Sequence, residues 1–460
     1  MTDYSIGELE KWNEEIERLA RAKGLRFYEQ EFEIVSYEDM IGYEAYTGMP
    51  SHYPHWCYGK SYERLKTLNR YNLSGLPYEM VINSDPCIAY LMKDNTLLLQ
   101  ILTIAHVYGH NDFFRNNRLF KQGTRAEYTV EMFKNHADRI RNYISDPGIG
   151  YVKVERILDA AHSLKFQTSR VAGEKRLAVG EQKTRLLQKY KKPESDFPLL
   201  DPPQEEEEQP PDLRRIPLEP EEDLLLFVSE YGRLSEWEKD ILDIVREETL
   251  YFIPQIETKI MNEGWASFWH YNLLNSLELP QSLHIEFIKR HNQVIRPHEG
   301  HINPYFLGFK IFEDLHARNG GDTSKLFEVR ELERDESFIR RYLTYELCRD
   351  LNLLEYAKTG SEYVVSEVSD EEGWIKVRDA IAASVGMGGI PSIRVCEKVR
   401  QDNTVMMEHL YDGRELELNY AYETLKYCAE LWEGRVLLST VIDDKKRIIV
   451  CDEHKRISLI

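Results

Sequence analysis

Two histidines four residues apart, His106 and His110, stand in a long stretch, Leu97 to Asn117, that reads as a helix. On a helix such a pair is about 40° apart around the axis and one turn apart along it. Both imidazoles can then reach a single ion at about 2.0–2.1 Å. The flanking residues Ile101, Leu102, Ile104, Phe113 and Phe114 are apolar, so the helix is expected to be buried. Asn117 continues the same face. The spacing is common by chance, and two core histidines bonded to backbone or carboxylate groups would also satisfy it.

A second helical stretch, Glu257 to Tyr271, carries Glu263 within Asn262-Glu263-Gly264-Trp265-Ala266. A carboxylate among aromatic and apolar residues needs a cation or a dense set of donors. The plain alternative is a carboxylate at the helix edge that reaches water, a lysine or an arginine. Gly264 lets another backbone approach closely. Ser267 and His270 continue the Glu263 face. A His-x3-His helix followed by a glutamate on another helix resembles the ligand order of gluzincin-type zinc peptidases. The expected ligands are therefore His106, His110 and Glu263, and the expected divalent metal is zinc. Two histidines and a carboxylate can also hold iron.

One departure matters for the chemistry. In those peptidases the residue after the first histidine is a glutamate that serves as general base. Here that position is Val107, which cannot accept a proton. Asp112 points to another face of the helix. A base is therefore expected from elsewhere, with Glu299, His301 and His270 as candidates. Glu299 and His301 belong to a loop, Arg296 to Gly308, bounded by Pro297 and Pro304, whose histidines could instead cap the next helix. His52, His55 and Cys57 form another group of ligand types, but the aromatic density of that loop suits packing or a binding groove.

The elements that must position these groups are mostly helical. Amphipathic or apolar periodicity predicts helices at 5–23, 95–117, 126–143, 151–166, 235–249, 254–276, 281–293, 304–318 and 335–357. Ser5 and Asn95 are the expected caps of the first two. A hairpin is predicted between Tyr78 and Tyr90 with its turn at Asn83 to Pro86. After Trp374 the pattern changes to a helix at 374–384, a Gly386 to Gly389 turn, strand-like runs at 392–399 and 405–410, a helix at 419–432, and strands at 436–442 and 447–452. The expected fold class is mainly α with a smaller α+β C-terminal part. Its zincin-like helical body would carry the His-x3-His helix and the Asn-Glu-Gly-Trp-Ala helix. The expected domains are 1–335 and 336–460. An acidic, proline-rich insertion at about 191–222 holds eight of the 18 prolines and the run Glu205 to Glu208, and it is expected to be disordered.

Composition narrows the function classes. Fifty-nine Lys+Arg against 79 Asp+Glu give a formal net charge of −20 over 460 residues. Such a surface repels phosphate backbones and anionic lipid, so no nucleic-acid partner is expected. No membrane span is expected either, because no apolar run approaches the ~18 residues needed, the longest, Leu97 to Ala105, being broken by Gln100 and Thr103. The six cysteines include no CxxC pair, which argues against a disulfide framework and a cysteine-rich zinc module. The N-terminus lacks the basic-then-apolar order of a secretory signal, so the expected location is cytoplasmic.

Several segments together resemble the stage V sporulation protein R (SpoVR) family. They are Pro54-His55-Trp56 with Gly59-Lys60-Ser61-Tyr62, His106-Val107-Tyr108-Gly109-His110 through Asn117, Met261 to Tyr271, and Asn303-Pro304-Tyr305 with Leu307-Gly308. The resemblance implies a bacterial cytoplasmic protein required for forming the spore cortex, a modified peptidoglycan layer. Family relatives also occur in bacteria that make no spores. The resemblance implies no particular reaction. The metal-dependent hydrolase reading rests on the residues above. Its rival is a non-catalytic scaffold whose metal fixes a surface for a protein partner.

Overall fold

A computed structural model describes residues 4–70, 79–170, 173, 176–190, 212–297, 301–359, 362–399 and 401–460. The protein is mainly helical with a five-stranded sheet near its C-terminus. Two compact units are present, one formed by Met1–Gly148 with Leu250–Gly389, the other by Ile149–Thr249 with Ile390–Ile460.

The first unit is built around two helices. Leu97–Asn116, the histidine helix, is capped by Thr96, whose hydroxyl accepts from Leu99 N at 3.3 Å, so Thr96 rather than Asn95 supplies the cap. The helix is buried from Leu98 to Phe114, which suits a sequence that is apolar all round. Lys259–Ser276, the glutamate helix, packs along it and along Pro304–Arg318. Beside the histidine helix lies a small sheet of β1 (Gln30–Val35), β2 (Glu79–Ile82) and β3 (Cys87–Met92). The predicted hairpin forms β2 and β3, which pair antiparallel. β1, a strand absent from the sequence reading, adds in parallel to the other edge of β3.

The N-terminus of the glutamate helix has no side-chain cap from its own Thr258. Asp335, far along the chain, replaces it: Oδ2 accepts from Ile260 N and Oδ1 from Met261 N, both at 2.8 Å. A carboxylate there satisfies two orphan donors and faces the positive end of the helix. Asp335→Ala is expected to destabilise the protein by about 2 kcal/mol, the upper end for a lost cap because the site is buried. Urea unfolding against wild type checks this, with Asp335→Asn retaining part of the loss.

The stretch predicted as one helix over 335–357 breaks in two, Asp335–Tyr342 and Tyr345–Asp350. It then becomes a strand, β4 (Leu354–Thr359), paired antiparallel with β5 (Glu362–Val368). Asn352, at φ 50°, turns the chain between helix and strand.

In the second unit the sheet order is β10-β9-β8-β7-β6. The strands are β6 (Ile393–Val399), β7 (Thr404–His409), β8 (Val436–Ile442), β9 (Lys445–Cys451) and β10 (Ile457–Leu459). β7 and β8 are parallel, joined through the helix Leu418–Trp432, and the remaining pairs are antiparallel. This is the predicted strand–strand–helix–strand–strand order with one further edge strand. Of the acidic proline-rich stretch, residues 191–211 lie outside the described residues. Its end is ordered along β6, where Glu221 and Val395 exchange backbone hydrogen bonds at 3.0 and 2.7 Å.

Candidate functional site

Four side chains from three elements converge in the first unit. His106 and His110 come from the histidine helix, Glu263 from the glutamate helix and Glu79 from the start of β2. His106 Nε2 lies 3.6 Å from Glu263 Oε2 and 3.6 Å from Glu79 Oε1. His110 Nε2 lies 3.4 Å from the same Glu263 Oε2. Atoms bound tetrahedrally at about 2.05 Å from one ion would stand about 3.3 Å apart, so these separations fit a shared cation. Glu79, His106 and His110 by themselves offer ligand atoms within 4.8 Å of one another.

Two close backbone approaches hold the helices at this spacing. A Cβ on Gly109 would come within 2.6 Å of Ala266 Cα, and one on Gly264 within 2.3 Å of the Gly308 carbonyl carbon. Asp112 pins the same pair of helices: it accepts from Trp265 Nε1 at 2.9 Å and from Arg26 N at 2.7 Å, and it lies 3.6 Å from Arg330. As its position on the helix predicts, Asp112 faces away from the cluster.

The hydrogen bonds of the imidazoles define the electrostatics. His110 Nδ1 is 2.9 Å from Asn262 Oδ1, an acceptor, so Nδ1 carries the proton. In the neutral ring, Nε2 then presents a lone pair to the Glu263 carboxylate. His106 Nε2 and Glu263 Oε2 are both buried without a hydrogen-bond partner. Burial lowers the His110 pKa, but Glu263 and Asn262 more than offset it and leave it raised. Burial alone would raise Glu263, yet the two imidazoles hold it well below the carboxylate range. Glu79 is raised, chiefly by burial, against the pull of His106 and His110. The donor set thus combines two carboxylates with two imidazoles in a place that calls for positive charge. Either imidazolium protons or a metal cation can supply it.

His270 joins the group through its ring. Its Nδ1 is 2.9 Å from His106 Nδ1, and its Nε2 is 2.8 Å from His291 Nδ1. Both nitrogens are therefore engaged, which leaves His270 no free lone pair for the role of base. Burial first, then the neighbouring imidazoles, keep it well below its ordinary pKa. His301 is exposed and stands just before the helix Pro304–Arg318. Glu299 and His298 lie outside the described residues. Asn117 is structural: its Oδ1 caps the next helix at Leu119 N, and its amide bonds the Arg330 and Glu333 carbonyls. Asn303 likewise caps its helix at Tyr305 N. His52 contacts Tyr58 Oη at 3.0 Å within an aromatic group, and His55 Nδ1 contacts Cys57 Sγ at 2.8 Å.

Glu79 and His291 escaped sequence reasoning. Glu79 is a single acidic residue at the head of a four-residue strand, and His291 is one of two histidines in the helix Gln281–Val294. Neither carries a spacing signal, since their partners are remote in sequence.

Fold and cluster together define a mainly helical protein with a buried His/Glu constellation and a separate C-terminal sheet. The family model described as "SpoVR like protein" matches residues 3–390, and that described as "SpoVR-like C-terminal domain" matches 391–443, so the chain belongs to the SpoVR family. It is 32% identical over 481 residues to the "Uncharacterized protein YcgB" of Escherichia coli (strain K12), covering 96% of this chain and 93% of that protein. No solved structure matches. Family membership suggests a sporulation-related role. Among the described residues no helix is long and apolar enough to cross a membrane.

Proposed function

We propose that the chain is a metal-dependent hydrolase acting in formation of the spore cortex, with one divalent ion, zinc, held by His106, His110 and Glu263. The ligand order is zincin-like. The observation that carries the reading is the convergence of His110 Nε2 and His106 Nε2 on one buried carboxylate oxygen, at 3.4 and 3.6 Å. A bound divalent ion supplies Lewis acidity and lowers the pKa of water.

Glu79 fills the role that Val107 cannot. Its carboxylate Oε1 lies 3.6 Å from His106 Nε2, and burial raises its pKa, which favours a group that takes up a proton. The side chains of Glu79 and Glu263 are 11% and 18% exposed against 3% and 6% for His106 and His110, so the carboxylates form the more open side of the cluster. The proposed setting is the cytoplasm, in keeping with six free cysteines.

Elemental analysis of protein purified without chelators tests the metal. About one zinc per chain is expected, and none would overturn the reading. Glu79→Gln separates catalysis from scaffolding. The variant is expected to keep its zinc and, in a spore-forming host lacking its own copy, to yield heat-resistant spores only at the level of the deletion. The scaffold reading draws on the same residue: as a fourth ligand, Glu79 would close the coordination sphere, and Glu79→Gln would then lose metal rather than activity.

A further inference from the structure

We infer that His270 and His291 form an imidazole chain that positions His106 as an Nε2 metal ligand, an inference that rests on the metal reading above. Three histidines from three helices stand in line. His106 Nδ1 meets His270 Nδ1 at 2.9 Å, and His270 Nε2 meets His291 Nδ1 at 2.8 Å. All three are buried, and the His291 ring is walled by Tyr271 and Phe309 at centroid distances of 4.6 and 5.0 Å.

A neutral imidazole has one N–H and one lone pair, so two proton orders satisfy such a chain. In the first, His291 Nδ1–H donates to His270 Nε2 and His270 Nδ1–H donates to His106 Nδ1. The His106 proton then sits on Nε2, which cannot ligate. In the second, His106 Nδ1–H donates to His270 Nδ1 and His270 Nε2–H donates to His291 Nδ1. That order frees the His106 Nε2 lone pair beside Glu263. A bound ion selects the second order and thereby sets the tautomer of both outer histidines. His110 is held in the matching tautomer by Asn262.

The device differs in charge from the carboxylate that often backs a ligating histidine. A carboxylate makes the ligand more basic, whereas a neutral imidazole adds no charge. The ion consequently keeps more of its Lewis acidity, although the site already contains two carboxylates.

The test uses the full chain labelled with 15N-histidine, zinc-loaded, in long-range proton–nitrogen correlation spectra. Expected are the Nδ1–H tautomer for His106 and the Nε2–H tautomer for His270 and His291. A His270 that carries its proton on Nδ1 with zinc bound overturns the inference, whether or not any variant folds. Zinc affinity, measured by chelator competition, provides the second arm. His270→Leu and His291→Phe are expected to weaken binding roughly 10–100-fold, the usual cost of a lost outer-shell partner. His270→Gln, whose amide can accept from His106 and donate to His291, is expected to recover most of the loss. Wild-type affinity in both His270→Leu and His291→Phe, beside a His106→Ala that binds none, removes the chain and leaves the metal reading standing. Wild-type protein that binds no zinc overturns both.

Discussion

Zinc content is expected to fall from about one ion per chain to near zero in His106→Ala and in His110→Ala, measured after dialysis against metal-free buffer. Each change removes one of three proposed ligands, so the loss should exceed the roughly 10–100-fold expected for outer-shell partners. Chelator provides an independent readout. An ion present at about 1,000 times its Kd stabilises the folded state by about 4 kcal/mol, so chelation should lower the wild-type unfolding temperature and leave the variants unmoved. Protons compete for the same lone pairs. Because Glu263 and Asn262 raise the His110 pKa despite burial, its proton is held more tightly than on an ordinary imidazole. Zinc affinity is therefore expected to be greatest above neutrality and to decline as the pH falls, beginning above the ordinary imidazole range of about 6.5. An affinity that rises on acidification would contradict the assigned ligands.

Gly264→Ala is expected to cost about 3 kcal/mol or more. The added methyl would lie 2.3–2.4 Å from the Gly308 backbone, and a backbone cannot swing aside as the end of a flexible side chain can. Gly308→Ala meets the Ile260 carbonyl oxygen at 2.1 Å and should be as severe. Urea titration of each variant measures the effect. Since Gly264 adjoins Glu263, any survivor of Gly264→Ala should also bind zinc more weakly, because the glutamate helix must shift to make room. Gly59→Ala is the control of opposite sign. No heavy atom stands within 4 Å of the new methyl, in a helix without buried residues, so a gain of about 0.5–1 kcal/mol is expected. A similar response of Gly59 and Gly264 would mean that helix propensity, not helix contact, governs both.

The outcome for individual residues follows from the range over which their signals act. His106 and His110 were legible because helical geometry puts residues four apart on one face wherever the helix lies. Glu263 was legible because a carboxylate in an aromatic stretch demands compensation. The C-terminal strand order could be read from alternation and turn residues. The helix predicted to run through 357 instead ended near Asp350, because apolar residues in a short run fit either period.

Residue type and local periodicity thus determined which helices carry imidazoles and which carries the carboxylate. Tertiary structure alone decided that Glu79 reaches His106 and that His270 and His291 extend the line behind it. It also decided that Asp335 caps the glutamate helix and that β1 joins β3. Those contacts join positions about 20 to 160 residues apart, and no repeat along the chain encodes them. Gly109 and Gly264 let three helix backbones pack in close register, and that register is a property of the assembled core.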